Sequence, residues 1–381
     1  MAVSEAAIAP VAQASGHRIV EVTAHRLRLP YRGEVQFAQM KQASAEYSLV
    51  VIRLDDGTEG IAEAVCRPEF SGEDARAVAY QIETFFKPMV QGEDPLHHLA
   101  ILARLERIRD CRAAKSLIDI ALWDLRGKLL HEPVWRLLGG GPARPVPLTW
   151  VAHGNTREAQ VDESKRMVLD RGYKGLKLKV WRRSEEDVAL VREVRGAVGD
   201  DLPVYVDANS KYTEFEARTI FPKMSEHRVD FIEDPCRSGD LTRMALLARS
   251  LPIAILGDLQ CNSLTAVQAH LSARAVGGIS VKLRRTGITE SLKIIALCEA
   301  AGIPVVIGTD SESRIGAIPR VHLRMAVPSL AHAPIETHFF DKLSGDVFAG
   351  DFAFQDGEIT PSDAPGFGAA IDRRMLEKFA F

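Results

Sequence analysis

In the middle of this 381-residue chain, charged side chains recur at, or directly after, short apolar runs. In order they are Lys177 and Lys179, Asp207, Glu233, Asp258, Lys282, and then Asp310 and Glu312. A single Asp in such a place is an ordinary N-cap for the next helix. Five consecutive runs carrying a charge at their ends exceed what capping explains, and Lys is not a capping residue. Asp207, Glu233 and Asp258 offer three hard anionic oxygen donors, a set that suits Mg²⁺ with Mn²⁺ as a substitute. Such a trio leaves about three octahedral positions for water and a substrate carboxylate. Lysines beside it, partly desolvated and close to other positive charge, are expected to have a depressed pKa and to serve as bases. With Lys177 and Lys179 on one flank and Lys282 on the other, a proton could leave one face of a substrate and return on the opposite face. The cation would hold the enediolate formed in between.

These residues need a scaffold that brings them to one rim. Beyond Pro145 the pattern is one of short apolar strands alternating with helical segments. Strands are expected at 146–152, 175–180, 202–209, 229–235, 253–258, 278–283, 303–309 and 330–337. Repeated βα units predict a parallel barrel with right-handed crossovers, whose chemistry sits at the C-terminal strand ends. A doubly wound open sheet is the structural alternative, weakened because no Gly-rich phosphate turn follows any strand. Within "GYKGLKLKV", Leu176, Leu178 and Val180 share one face and Lys177 and Lys179 the other. Upstream, "HRIVEVTAHRLRLPY" and "AEYSLVVIRLDDGTEGIAEA" alternate like antiparallel strands. "AAKSLIDIALWDLRGKLL" then carries an apolar helical stripe through Leu117, Ile118, Ala121, Leu122, Leu125 and Leu129. The breaker "GGGPARP" follows at 139–145. The expected organisation is a disordered tail at 1–17, an α+β capping domain at 18–142 and a barrel at 143–345. A C-terminal segment at 346–381 would return to the cap.

A net charge of −3 gives no electrostatic case for nucleic acid or an anionic membrane. No apolar run approaches the roughly 20 residues of a membrane span, and the first residues do not read as a secretion signal. Five widely spaced cysteines without a CxxC pair point to reduced thiols in a cytoplasm.

Taken together, the motifs resemble the enolase superfamily, specifically its muconate-lactonizing-enzyme subgroup. The likeness is carried by "AAKSLIDIALWDLRGKLL…LLGG", "KLK", "VDAN", "IEDP", the "GD" at Asp258, "SVKLRRTGI" and the late "DGEI…PGFG…D". It implies an α/β fold, a modified TIM barrel (β/α)7β with an α+β N-terminal capping domain. A flexible loop near Leu29–Tyr47 would cover its mouth. It also implies that Lys177 assists, that Lys179 and Lys282 are the opposing acid/bases, and that Asp207, Glu233 and Asp258 hold Mg²⁺. The mandelate racemase subgroup fits less well, because the sixth strand offers Lys282 and no His ends the seventh.

Departures from the pattern bear on the substrate. Leu259-Gln260 follows Asp258, the seventh strand gives "GTDSES" with the unusual Asp310, and the eighth ends in "PIETHFF". Substrate contacts are expected from Asn209, Asp310, Glu312, Glu336 and Lys41. Arg32 and Gln39 in the covering loop and His153 after the first strand are further candidates. His97-His98 reads as a helix start. Cycloisomerisation of a small dicarboxylate is the first choice of reaction. Racemisation or epimerisation of an amino-acid derivative, acid dehydration, Schiff-base aldol chemistry and a non-catalytic barrel are the alternatives. The expected partners are a small carboxylate substrate and further copies of the chain in a symmetric homo-oligomer.

Overall fold

The computed structural model describes residues 16–37, 40–237, 240–327, 329 and 334–381. The expected tail at 1–17 therefore lies outside the described residues except for Gly16 and His17, and so does Gln39.

Three antiparallel strands open the chain: β1 (Ile19–Phe37), β2 (Met40–Leu54) and β3 (Glu59–Cys66). Val22 pairs with Ile52 and Ile52 with Gly60, so these share one buried face, and the Arg112–Leu129 helix lays its predicted stripe on it. The approach is close: a Cβ on Gly60 would lie 2.3 Å from the Ala121 carbonyl oxygen. Leu29–Tyr47, expected as a loop, is a two-stranded ribbon over its described residues. Pairing resumes after a register shift between Pro30 and Val35 and runs to Phe37 opposite Met40. Pro30 and Gly33 interrupt the alternation in sequence, but the shift absorbs the irregularity.

The eight expected barrel strands are β4 (Val146–Ala152), β5 (Gly175–Lys179), β6 (Val204–Asp207), β7 (Phe231–Glu233), β8 (Ala254–Gly257), β9 (Gly278–Val281), β10 (Val305–Ile307) and β11 (Ile335–Glu336). Strands β4 to β10 pair in order and in parallel, and β11 pairs with β4. Of the 330–337 expectation, residues 330–333 lie outside the described residues. At the closing seam the Thr309 backbone N–H donates to Glu336 Oε2 at 3.2 Å. Lys179 is in register with Asp207, and Asp207 with Glu233, so the charged residues share one rim. Two residues below Asp207 and Asp258, Tyr205 and Leu256 point inward. They pack with Val306 in an interior layer drawn from alternate strands.

The last segment docks on both parts of the molecule. Phe367 N–H donates to Asp124 of the cap helix at 2.9 Å, and Leu27 bridges to Ala380. The hairpin β13 (Ala353–Gln355) and β14 (Glu358–Thr360) instead extends β4, pairing with Val146 and Pro147. The short strands β12 (Phe348–Gly350) and β15 (Ala369–Ile371) pair with each other. The return to the cap is thus partial. The hairpin gives its edge to the N-terminal end of a barrel strand, where hydrogen-bonding groups were otherwise unpaired.

Candidate active site

The period-two alternation of β5 sends Leu176 and Leu178 outward and turns Lys177 and Lys179 into the barrel mouth. Lys177 is only 2% exposed. Its ammonium lies 2.6 Å from Glu233 Oε2, 3.2 Å from both Glu336 oxygens and 3.4 Å from Asp207 Oδ2. Lys179 donates to Asp207 Oδ2 at 2.6 Å and to Asn209 Oδ1 at 3.0 Å. Across the mouth, Lys282 donates to Asp258 Oδ2 at 2.7 Å, while Arg285 donates to Asp258 Oδ1 at 2.9 Å. Asp234, from "IEDP", accepts the backbone N–H groups of Asp258 and Leu259 at 3.1 and 3.0 Å and so fixes the turn after β8.

The ionisation pattern follows from these contacts. Burial pushes the Asp207 carboxyl up, but Lys179 and Lys177 outweigh it and hold the group below its usual value. Burial likewise opposes Asp258, and Arg285 and Lys282 overcome it. Glu233 is raised well above the usual range by its burial, which the Lys177 charge does not offset. Lys177 and Lys282 differ from the expectation of depressed values. Desolvation lowers both, yet Glu233 and Glu336 around Lys177, and Asp258 beside Lys282, leave each raised. The sequence showed lysines near other cations, whereas the fold gives each a closer carboxylate.

One cavity is lined by Lys177, Lys179 and Lys282 together with Asp207, Asn209, Asp258 and Asp310. Arg67 and Phe70 of the cap and His153 after β4 close it from the sides. Burial keeps the His153 imidazole well below its usual pKa. Three expected substrate contacts lie elsewhere. Glu336 is fully buried behind Lys177, where it also accepts from the Tyr205 hydroxyl. Glu312 is turned inward to Thr309 Oγ1 (2.7 Å), the Asp310 N–H and the Arg320 guanidinium. Both are strand-end carboxylates drawn to buried cations that a sequence pattern does not locate. Lys41 sits on the outer ribbon, 59% exposed and paired with Glu34 at 3.1 Å. Arg32 reaches the Asp341 carbonyl at 3.2 Å and lines a neighbouring cavity. His98 is buried against Asp119 Oδ1 at 2.7 Å. Tyr205, Asp234, Arg284 and Arg285 were not singled out from sequence, although the Arg-Arg pair directly after Lys282 was a visible signal.

The donor set fits a hard divalent cation. Three oxygen-bearing side chains end three adjacent strands, and both oxygens of the fully buried Glu233 accept no hydrogen bond. One cation, the Lys177 ammonium, already spans Asp207 and Glu233. The three carboxylates are not drawn tightly together, since each is turned to a lysine or arginine. Among the described residues, the His/Cys/Asp/Glu group whose ligand atoms all lie within 4.8 Å of one another is His17, Asp55 and Asp56 at the surface. No helix of the described residues is long and apolar enough to cross a membrane.

Comparison with known proteins agrees with this architecture. The Enolase C-terminal domain-like family matches residues 159–375, and the Mandelate racemase / muconate lactonizing enzyme, N-terminal domain matches residues 19–139. The chain is similar to the muconate lactonizing enzyme from Mucobacterium Smegmatis complexed with muconolactone. That structure is 28% identical with a TM-score of 0.91, covering 96% of this chain and 100% of the other. It is 27% identical to the chloromuconate cycloisomerase of Pseudomonas putida over 92% of this chain and 96% of the relative. It is also 26% identical to the L-Ala-D/L-Glu epimerase of Clostridium acetobutylicum, over 92% and 98%. A barrel rim bearing these lysines and carboxylates beneath an α+β cap, matched end to end by such relatives, makes this chain a member of the enolase superfamily, muconate-lactonizing-enzyme subgroup, and an isomerase or lyase.

Proposed function

We propose that the protein removes or delivers the proton α to a substrate carboxylate in a Mg²⁺-dependent reaction, as a muconate-cycloisomerase-like enzyme acting on a small carboxylate. One observation carries this reading. Lys179 and Lys282 end β5 and β9 and face one cavity, with the carboxylates of β6, β7 and β8 between them. Asp207, Glu233 and Asp258 would hold Mg²⁺, whose Lewis acidity steadies negative charge on the substrate carboxylate and lowers the pKa of the adjacent lysines.

The chain's own groups do the rest. In the lactone-forming direction, one carboxylate of the substrate adds to an alkene carbon, leaving the electron pair at the carbon α to the other carboxylate. Lys179 or Lys282 delivers a proton there. In reverse, the same amine, uncharged, takes that proton up. Asn209 and Asp207 orient Lys179, and Arg285 holds Asp258 in place against Lys282. Lys177, locked by Glu233 and Glu336, supplies a fixed positive charge beneath them.

Racemisation or epimerisation of an amino-acid derivative is the second reading. Amines on opposite flanks are what inversion requires, and one relative is an epimerase. Incubation with cis,cis-muconate in D₂O and Mg²⁺ is expected to give lactone carrying one deuterium, with turnover lost in EDTA and restored by Mg²⁺. N-acyl amino acids that exchange their α-proton while muconate does not react would move the assignment to the epimerase. Turnover undiminished by EDTA, with borohydride trapping of substrate on Lys179 or Lys282, would overturn both.

A further inference from the structure

Two residues beyond Lys282, Arg284 is 7% exposed and lines the same cavity as Lys179 and Lys282. Its surroundings do not satisfy it. Among the described residues its guanidinium makes no hydrogen bond. The nearest carboxylate oxygens, Glu73 Oε2 and Asp310 Oδ2, lie 3.8 and 3.9 Å away, beyond hydrogen-bond reach. Arg285, its neighbour, differs: it donates to both the side chain and the carbonyl of Asp258. Asp310 Oδ2 is in turn buried without a hydrogen-bond partner. A guanidinium presents five N–H donors in a rigid fork, and here they open onto the cavity.

The backbone beneath it is pinned. Ser116 Oγ of the cap helix donates to the Arg284 carbonyl at 2.6 Å, and the Arg285 N–H closes a turn onto the Lys282 carbonyl at 2.9 Å. A held fork that faces the reaction cavity, with no hydrogen bond to the described residues, is arranged to receive an acceptor brought by a ligand.

We propose that Arg284 binds a second anionic group of the substrate, the carboxylate that the metal site does not hold, and so selects dicarboxylic over monocarboxylic acids. Glu73 and Asp310 are its loose counter-charges, near enough to keep it in the fold and too far to occupy its donors. The assignment rests on the reading that this cavity binds a carboxylate substrate, and it names the residue for the other end.

Calorimetric titration of the full chain in saturating Mg²⁺, with adipate and with hexanoate, tests it. These probes differ only in the second carboxylate. The native protein is expected to bind adipate about tenfold or more tightly than hexanoate, as a charge-assisted bidentate pair implies. Arg284→Met should remove that preference by weakening adipate, with hexanoate changed by less than about threefold. Arg284→Lys keeps a charge but not the fork, and should reduce the preference by about threefold or more. It serves also if the Met variant does not fold. An absent preference in the native protein, an equal loss of both acids in Arg284→Met, or an undiminished preference in Arg284→Lys would each overturn the proposal. Repeating the titrations in EDTA separates the two readings. Both acids should then bind far more weakly, and unchanged hexanoate binding would contradict the metal-dependent site while the Arg284 comparison stays readable.

Discussion

Lys177 and Lys179 stand two residues apart on one strand, yet their surroundings give them different work. Lys179 faces the cavity with its amine on Asp207 and Asn209, whereas Lys177 is sunk among Glu233, Glu336 and Asp207. Replacing Lys179 or Lys282 by Ala is therefore expected to lower kcat by about a thousandfold or more, the size of a lost general acid or base, with the thermal midpoint near that of the native protein. Glu336→Gln should act mainly on stability. It removes one of the three carboxylates around Lys177 and is expected to cost about 3 kcal/mol in urea unfolding, as for a broken buried ion pair. The cavity-facing lysines were legible because alternation leaves a charge on the inward face of an otherwise apolar strand. The roles of Glu336 and Glu312 were not. Each contacts partners far away in the chain or on another element, Lys177 across 159 residues and Arg320 on the following helix. No spacing rule announces whether a strand-end carboxylate faces substrate or a buried cation.

At the scale of elements, the turn after β9 that carries Lys282, Arg284 and Arg285 is held by the cap helix as well as by Asp258 of the barrel. Asp119 of that helix accepts the N–H groups of Ile288 and Thr289 at 2.6 and 2.9 Å, the Thr289 hydroxyl at 2.5 Å, and pairs with His98. Gly287 adopts φ +57° there, and a Cβ on it would lie 2.2 Å from Asp119 Oδ2, so the turn admits no side chain. Asp119→Ala removes the shared acceptor of the Ile288 and Thr289 N–H groups and the Thr289 hydroxyl and the partner of His98, and is expected to destabilise by about 3 kcal/mol or more, while also lowering kcat through a displaced Lys282. The helix itself was legible from its stripe. The work of its two aspartates, Asp119 and Asp124, was not legible, because they have partners 169 and 243 residues away. The covering ribbon was expected as a loop from the family resemblance alone. The register shift between Pro30 and Val35 that lets it pair depends on the partner strand.

Across the whole molecule, cap and barrel meet through ionisable groups as well as apolar ones. Glu63 of β3 is buried against Ser313, which presents its N–H and hydroxyl after β10, and Tyr47 donates to the Ser311 carbonyl at 2.9 Å. Burial pushes the Glu63 carboxyl up to about 8, partly offset by the Ser313 hydrogen bonds. A folded value above the free one means that this stabilisation is complete below the free glutamate range and is lost as pH rises toward 8. The urea midpoint of the native protein should fall between about pH 5 and 8 and level off above. Glu63→Gln, which mimics the neutral acid, should flatten that slope by a few kcal/mol at most, about what such a shift allows. The barrel order was legible from eight repeated units. The hairpin at 353–360 was not, because it completes β4 by pairing across some 200 residues of chain.

Whether the strand-end carboxylates gather a divalent cation decides the chemistry, and two groups of oxygen donors compete for that role. Titration calorimetry of Mg²⁺ or Mn²⁺ into the native chain, Glu233→Gln and His17→Ala measures it directly. Binding is expected at one strong site per chain, lost in Glu233→Gln and kept in His17→Ala. Strong binding that survives Glu233→Gln but disappears with His17 would put the ion at the surface cluster with Asp55 and Asp56, and would contradict a metal-assisted proton transfer at the barrel mouth.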